Sequence, residues 1–332
     1  MANEIDRRTF LRVAGLSLGA GALYQVAPAL AGGLADGEGG DVAEAQRRAN
    51  GEAVTPFTFV QLSDTHVGFS GPPNPTGTRA FERAVELVNR LERSPELVLF
   101  TGDLTHDSDQ PGEPEARLRR FQEIAGRLKV TERHVVPGEH DAAADGGVRF
   151  RGVFGPTSYA FDHRGVHFVA LDNVSRARPE VGPELRAWLR RDLARFSPTT
   201  PIVLFTHRPL FDLKPEWEWF TADGDEVMRI LAPFENVTVL YGHIHREDRH
   251  DLGHARHLAA RSLIFAFPDP VTAAEKVPAR FDPARPFHGL GLRLLERGAA
   301  AGGRLDAREV ELTLRERSGT EGFAQLLRPT SL

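Results

Sequence analysis

Five groups of side chains along this sequence can hold cations: Asp64 and His66, Asp103, Glu139 with His140 and Asp141, the single His207, and His243 with His245. Carboxylates and imidazoles together are the oxygen and nitrogen donors that bind zinc, manganese or iron. The chain has no cysteine. Thiolate sites, disulfides and cysteine nucleophiles are therefore excluded, and any metal must be held by these oxygens and nitrogens. Each group alone could be accidental. All five in this order, with glycine immediately before Asp103, Glu139 and His243, point to one metal site.

The elements that must position them are legible in the residues just upstream. Phe57-Thr-Phe-Val-Gln-Leu runs into Asp64, Leu97-Val-Leu-Phe-Thr into Asp103, His134-Val-Val into Glu139, Ile202-Val-Leu-Phe into His207 and Val237-Thr-Val-Leu-Tyr into His243. Each run is short, rich in β-branched or aromatic residues, and followed by a polar turn, which predicts a strand rather than a helix. In α/β sheets ligands gather at the carboxyl ends of strands, so the five endings can share one crevice. An internal domain boundary would separate them, so the reading is one domain, residues 55–316.

Ala80 to Leu91 and Pro114 to Leu128 carry apolar residues at helical spacing, as do Leu185 to Phe196, whose arginines form a solvated face, and Glu226 to Phe234. Gly152 to Asn173 and 246–257 read as antiparallel hairpins, and Arg304 to Leu314 as a last strand. With 332 residues and 41% hydrophobic content the chain can bury a large core. A net charge of −5 gives no electrostatic case for nucleic acid or an anionic membrane as partner.

The amino terminus carries Asp6-Arg-Arg-Thr-Phe-Leu11, a weakly apolar glycine-containing run, and Ala29-Leu-Ala31. Paired arginines, a mild hydrophobic segment and a small-x-small ending describe a twin-arginine export signal over residues 1–31. Gly15, Gly19, Gly21, Gln25 and Pro28 make the same run a poor membrane anchor. The expected location is periplasmic or extracellular, with the twin-arginine export machinery as a partner. Residues 32–54 read as a flexible linker and 317–332 as a tail.

The ordered set Asp64-x-His66, Gly102-Asp103, Gly138-Glu-His-Asp141, His207 and Gly242-His-x-His245 resembles the calcineurin-like metallophosphoesterase family, whose pattern is D-x-H, G-D, G-N-H-D or E, H and G-H-x-H. It is similar in particular to the exported, cyclic-nucleotide-phosphodiesterase-like branch. The resemblance implies an α/β fold of two mixed β-sheets packed as a sandwich flanked by helices, in four layers. It also implies hydrolysis of a small phosphate ester, a phosphodiester being slightly favoured, by a metal-bridging hydroxide at two divalent ions (Mn, Fe or Zn). Asp64, His66, Asp103 and His245 would hold one ion; Asp103, Glu139, His207 and His243 the other. His140 would be the catalytic acid, oriented by Asp141. The alternative is a metal-binding or sensing protein without catalysis on the same scaffold.

Glu139 departs from the family pattern, which has Asn there. Three outcomes are open: Glu139 ligates and retunes the site, swings out and weakens it, or marks lost activity. A carboxylate lowers the positive charge of a two-cation centre, and with it the attraction for phosphate. Other residues keep two readings. His106 either lines the cleft or is a loop residue. His250, His254 and His257 form either a second metal site or, more simply, a solvated hairpin. His134, His163, His167 and His288 read as strand or loop residues. Arg208 either reaches phosphate or faces solvent or an acid, and Trp217 and Trp219 either stack on substrate as a lip or plug the domain edge.

Overall fold

A computed structural model describes residues 56–298 and 304–312. The export signal 1–31, the linker 32–54 and the tail 317–332 read from the sequence lie outside these residues. Among the described residues no helix is long and apolar enough to cross a membrane.

The first strand, β1 (Phe57–Leu62), shows how the layers arise. Phe57 and Phe59 pack on Phe168 and Phe205 of an opposing sheet, while Val60 and Leu62 pack with Phe81 and Phe121 of two helices. A strand covered on both faces has no polar face to alternate, and its sequence accordingly reads as one apolar run. The helices are α1 (Arg79–Asn89) and α2 (Glu113–Ala125), each following one strand of the first sheet. That sheet also contains β2 (Leu97–Thr101) and β3 (Glu132–Val136), both running parallel with β1.

Two short helices follow, α3 (Glu139–Ala142) and α4 (Val148–Phe154). The second sheet is built from β4 (Tyr159–His163), β5 (Val166–Ala170), β6 (Ile202–Phe205), β7 (Val237–Tyr241), β8 (Asp248–Leu252) and β9 (Ala255–Ala259), in the order β4-β5-β6-β7-β9-β8. Helices α5 (Pro183–Leu193) and α6 (Gly224–Leu231) cover its outer face through Leu189, Leu193, Val227 and Leu231. After a long excursion without helix or strand, residues 260–290, the chain returns to the first sheet as β10 (Gly291–Arg297) and β11 (Asp306–Glu311), giving the order β11-β10-β1-β2-β3.

The four-layer α/β sandwich expected from the resemblance is thus the observed architecture. Both hairpins form, as β4–β5 and β8–β9, but the first begins after α4 and not at Gly152. Strand β10, which pairs antiparallel with β1 along its length, has no counterpart in the sequence reading.

Candidate metal centre

Strands β1, β2 and β3 of one sheet and β6 and β7 of the other all finish at the same end of the sandwich. The backbone there is strained in a consistent way. Asp64, His66, Asp103, His243 and His245 all have positive φ, between 39° and 64°. Non-glycine residues reach this left-handed region at a cost, and such strain gathers at functional sites where the fold over-determines it. Glycines let the segments close in: a Cβ at Gly138 would collide with Asp103 Oδ1, and one at Gly242 with Ser63 Oγ.

The result is two donor sets of carboxylates and imidazoles, with a third, all-histidine group of His66, His106 and His140 beside them. One ligating atom from each of Asp64, His66, Asp103 and His245 lies within 4.8 Å of the others, and the same holds for Asp103, Glu139, His207 and His243. Asp103 belongs to both. Its Oδ2 stands 3.3 Å from Nε2 of His66 and 3.3 Å from Nε2 of His207. All seven metal-site residues singled out from the sequence are brought together, and Glu139 is turned inward, with Oε2 2.8 Å from His207 Nε2 and Oε1 2.9 Å from His243 Nδ1.

The far nitrogen of three imidazoles is occupied. His207 Nδ1 donates to the Thr101 carbonyl at 2.7 Å, His243 Nε2 to the Glu218 carbonyl at 3.1 Å and His245 Nδ1 to the Phe265 carbonyl at 3.0 Å. A ring nitrogen that donates to a carbonyl leaves the other as a lone pair, the arrangement that orients a metal-ligating histidine. Those lone pairs face the cluster: the Nε2 atoms of His66 and His245 are 3.2 Å apart. Beyond these approaches to one another and to Asp103, buried Glu139 Oε2, His207 Nε2 and His243 Nδ1 have no hydrogen-bond partner among the described residues. Buried acceptors that converge without donors fit divalent cations.

The electrostatics agree. Burial opposes charge on His207, yet Asp103 and Glu139 raise its pKa well above that of an ordinary histidine. Carboxylates that attract a proton so strongly would attract a cation. Burial dominates at His66, which falls to about 3, and at His243, which falls to about 4. Both are therefore neutral ligands near neutral pH. Burial and Glu139 push the Asp103 carboxyl upward, but His207, His140 and His66 hold it below its usual value.

His140 stands beside this cluster, with its ring 4.8 Å from that of His66 and its backbone N–H donating to Asp103 Oδ1 at 3.1 Å. The carboxylate behind its ring is Asp107, not Asp141: His140 Nδ1 is 2.5 Å from Asp107 Oδ1. Asp141 instead accepts from the backbone N–H groups of Leu104, Thr105 and Gly138 and from the Thr105 hydroxyl. It ties the Asp103 turn to the start of α3. Burial and Asp103 raise its carboxyl to about 6 against those donors.

His106 does line the cleft, with Nδ1 3.2 Å from His66 Nδ1 and its ring stacked 4.6 Å from His140. Arg208 faces an acid and not solvent, its Nη2 lying 3.4 Å from Glu139 Oε1. Trp217 and Trp219 are buried against Tyr241, Ile244 and Ala259, so they form the plug and offer no stacking lip. His250, His254 and His257 are not among the clusters of metal-capable residues found in the described part of the chain.

A fold of this kind with paired donor sets at its strand ends is that of a metallophosphoesterase. The calcineurin-like phosphoesterase profile matches residues 57–247, more than half of the chain, and the protein belongs to that family. It is 25% identical to the serine/threonine-protein phosphatase CPPED1 of Danio rerio over 221 residues, 58% of this chain and 71% of that protein. It is 26% identical to a 3',5'-cyclic-nucleotide phosphodiesterase of Nostoc, covering 64% of this chain and 80% of the relative. A probable glycerophosphodiester phosphodiesterase of Arcobacter nitrofigilis is 27% identical over 56% of this chain and 71% of its own length. Among solved structures, a purple acid phosphatase of yellow lupin superposes with a TM-score of 0.58 at 12% identity, over 78% of this chain and about half (52%) of the lupin chain.

Proposed function

We propose that this enzyme hydrolyses a small phosphate ester, with a diester slightly preferred, and that it works outside the cytoplasm after twin-arginine export. The convergence of the two donor sets on the shared Asp103 carries the proposal. By the residue-by-residue resemblance, Asp64, His66, Asp103 and His245 hold one cation and Asp103, Glu139, His207 and His243 the other. When bound, two such cations supply Lewis-acid polarisation of the phosphoryl oxygens and activation of a water. Manganese, iron and zinc suit these donors.

The chain's own residues do the rest. Burial keeps His66 and His243 neutral, and the Thr101, Glu218 and Phe265 carbonyls fix the ligating nitrogens of His207, His243 and His245. His140 lies beside His66 with Nδ1 on Asp107, which leaves Nε2 to give a proton to the departing alkoxide. Burial lowers the His140 pKa, and among the carboxylates that act against it Asp107, bonded to Nδ1, is the one outside the donor sets. Asp141 sets the backbone that carries His140. The diester preference rests on the two phosphodiesterase relatives, and the location on Asp6-Arg-Arg-Thr-Phe-Leu11.

The alternative, a metal-binding protein without catalysis, draws on Glu139. The test is elemental analysis of protein lacking residues 1–31, together with its hydrolysis of a chromogenic phosphomonoester and phosphodiester. Turnover of either with bound metal supports the proposal. Bound metal with no turnover supports the alternative.

A further inference from the structure

Position 139 is where this sequence departs from the family pattern, and the structure sets an arginine beside it. Arg208, directly after His207, is 7% exposed, and its guanidinium is fixed from two sides. Nη1 donates to the Glu218 carbonyl at 2.7 Å, and Nη2 stands 3.4 Å from Glu139 Oε1. Its Nε has no hydrogen-bond partner among the described residues. The backbone is pinned as well: Asn173 Nδ2 donates to the Arg208 carbonyl at 3.0 Å. Glu218 has φ of 61°, and the same carbonyl also accepts from His243 Nε2. One strained peptide therefore holds both a candidate ligand and the arginine that faces Glu139.

A second cation arrives from outside the family-matched region. Lys276, on the 260–290 excursion, donates to the Trp217 carbonyl at 3.3 Å, one residue from the peptide that holds Arg208. Its ammonium lies 5.1 Å over the Phe267 ring and 5.9 Å over Trp219. An ammonium half-buried among aromatic rings stays in place where anions nearby offset the lost hydration. Glu139 is such an anion: burial and Arg208 lower the Lys276 pKa, and Glu139, with Glu218 and Asp103, acts against them.

The charges can be counted. Asp64, Asp103 and Glu139 set three negative charges against the four positive charges of two divalent cations. A neutral side chain at position 139 would leave the centre one unit more positive. Arg208 supplies that unit beside the carboxylate that removed it.

We propose that Arg208, backed by Lys276, is the counter-charge to Glu139. It positions this carboxylate in the second donor set, and it returns to the mouth of the site the positive charge that draws in a phosphate anion. The part concerning phosphate rests on the proposed function; the pairing of Arg208 with Glu139 rests on geometry alone. Guanidinium suits both tasks, because its charge is permanent: Nη2 faces the carboxylate while the field of the group extends to an anion in the cleft.

The test is a double-mutant cycle of Arg208→Gln, Glu139→Asn and the pair, with Arg208→Lys as the conservative variant, all in the full domain. With chelator present, thermal melts should show Arg208→Gln lowering Tm by several degrees more in the parent than in the protein already carrying Glu139→Asn. Equal losses in both backgrounds would overturn the pairing. With Mn(II) loaded, titration with inorganic phosphate should show at least a roughly tenfold weaker affinity for Arg208→Gln, partly restored by Arg208→Lys. Phosphate affinity unchanged within about twofold would overturn the counter-charge role. If no variant, nor the parent, binds Mn(II), the metal-centre reading fails, and the chelated melts alone decide whether Arg208 positions Glu139.

Discussion

His140 Nδ1 and Asp107 Oδ1 are 2.5 Å apart, whereas the neighbouring carboxylate of Asp141 faces three donors on the turn after Asp103 and the Gly138 N–H at the start of its own helix. The two acids thus have separable effects. Asp107→Asn should lower kcat by about tenfold or more, a fraction of the 10² to 10⁴ typical of a positioned acid, while leaving metal content and Tm unchanged. Asp141→Ala should instead unfold the protein at lower temperature, because several buried donors lose a charged acceptor worth about 1.5–3 kcal/mol each. Kinetics alongside thermal melts separate them. A stable Asp141→Ala variant with a purely kinetic defect would restore Asp141 to the ring-orienting role.

Asp103 is the residue common to both donor sets, and its removal should be felt twice. Elemental analysis after gel filtration should find Asp103→Ala without either metal, while His245→Ala, which touches one set, keeps the ion of the other. Retention of two ions by Asp103→Ala would show that the sets are independent.

The sequence made the five strand endings legible because each joins a short apolar run to a ligand, and both strand covering and site chemistry are written in consecutive residues. What it left hidden depended on contacts across the fold. Strand β10 carries Arg293 and Arg297 at buried positions, which reads as a polar segment; only the fold shows Glu309 opposite, its Oε1 2.5 Å from Arg293 Nε. Asp107 gave no signal because the chain offers Asp141 immediately beside His140. Adjacent residues on a helix do not face one another, however, and Asp141, at the third position of α3, points back to the Gly138 N–H. The helix Val148–Phe154 was masked by Gly152 within it.

Trp217 is 6% exposed and packs edge-on against Trp219, with ring centroids 4.9 Å apart. Trp217→Ala should therefore cost about 3–5 kcal/mol, the range for truncating a large buried ring, and leave the ratio of monoester to diester turnover as it was. Paired melts and a substrate panel read both quantities. A shifted ratio at unchanged Tm would mean that the ring meets substrate after all.

His257 gives the chain a pH-sensitive core position. It is fully buried on β9 opposite His250, and neither ring nitrogen has a hydrogen-bond partner among the described residues. Burial first, then His250, lowers its pKa to about 3, against 6.5 for an ordinary histidine. The folded state therefore refuses a proton that the unfolded chain accepts. The contribution is constant above pH 6.5 and is lost progressively as pH falls from 6.5 toward 3. At pH 5 the loss amounts to about 2 kcal/mol, from ~1.4 kcal/mol per pH unit below the unfolded-state pKa. His257→Leu removes the titrating group and fills a similar volume. Its Tm relative to the parent should rise by roughly 4–8 °C more at pH 5 than at pH 8, taking about 2–4 °C per kcal/mol for a domain of this size. Parallel acid limbs for the two proteins would show that this ring is protonated in the fold and that acid sensitivity originates elsewhere.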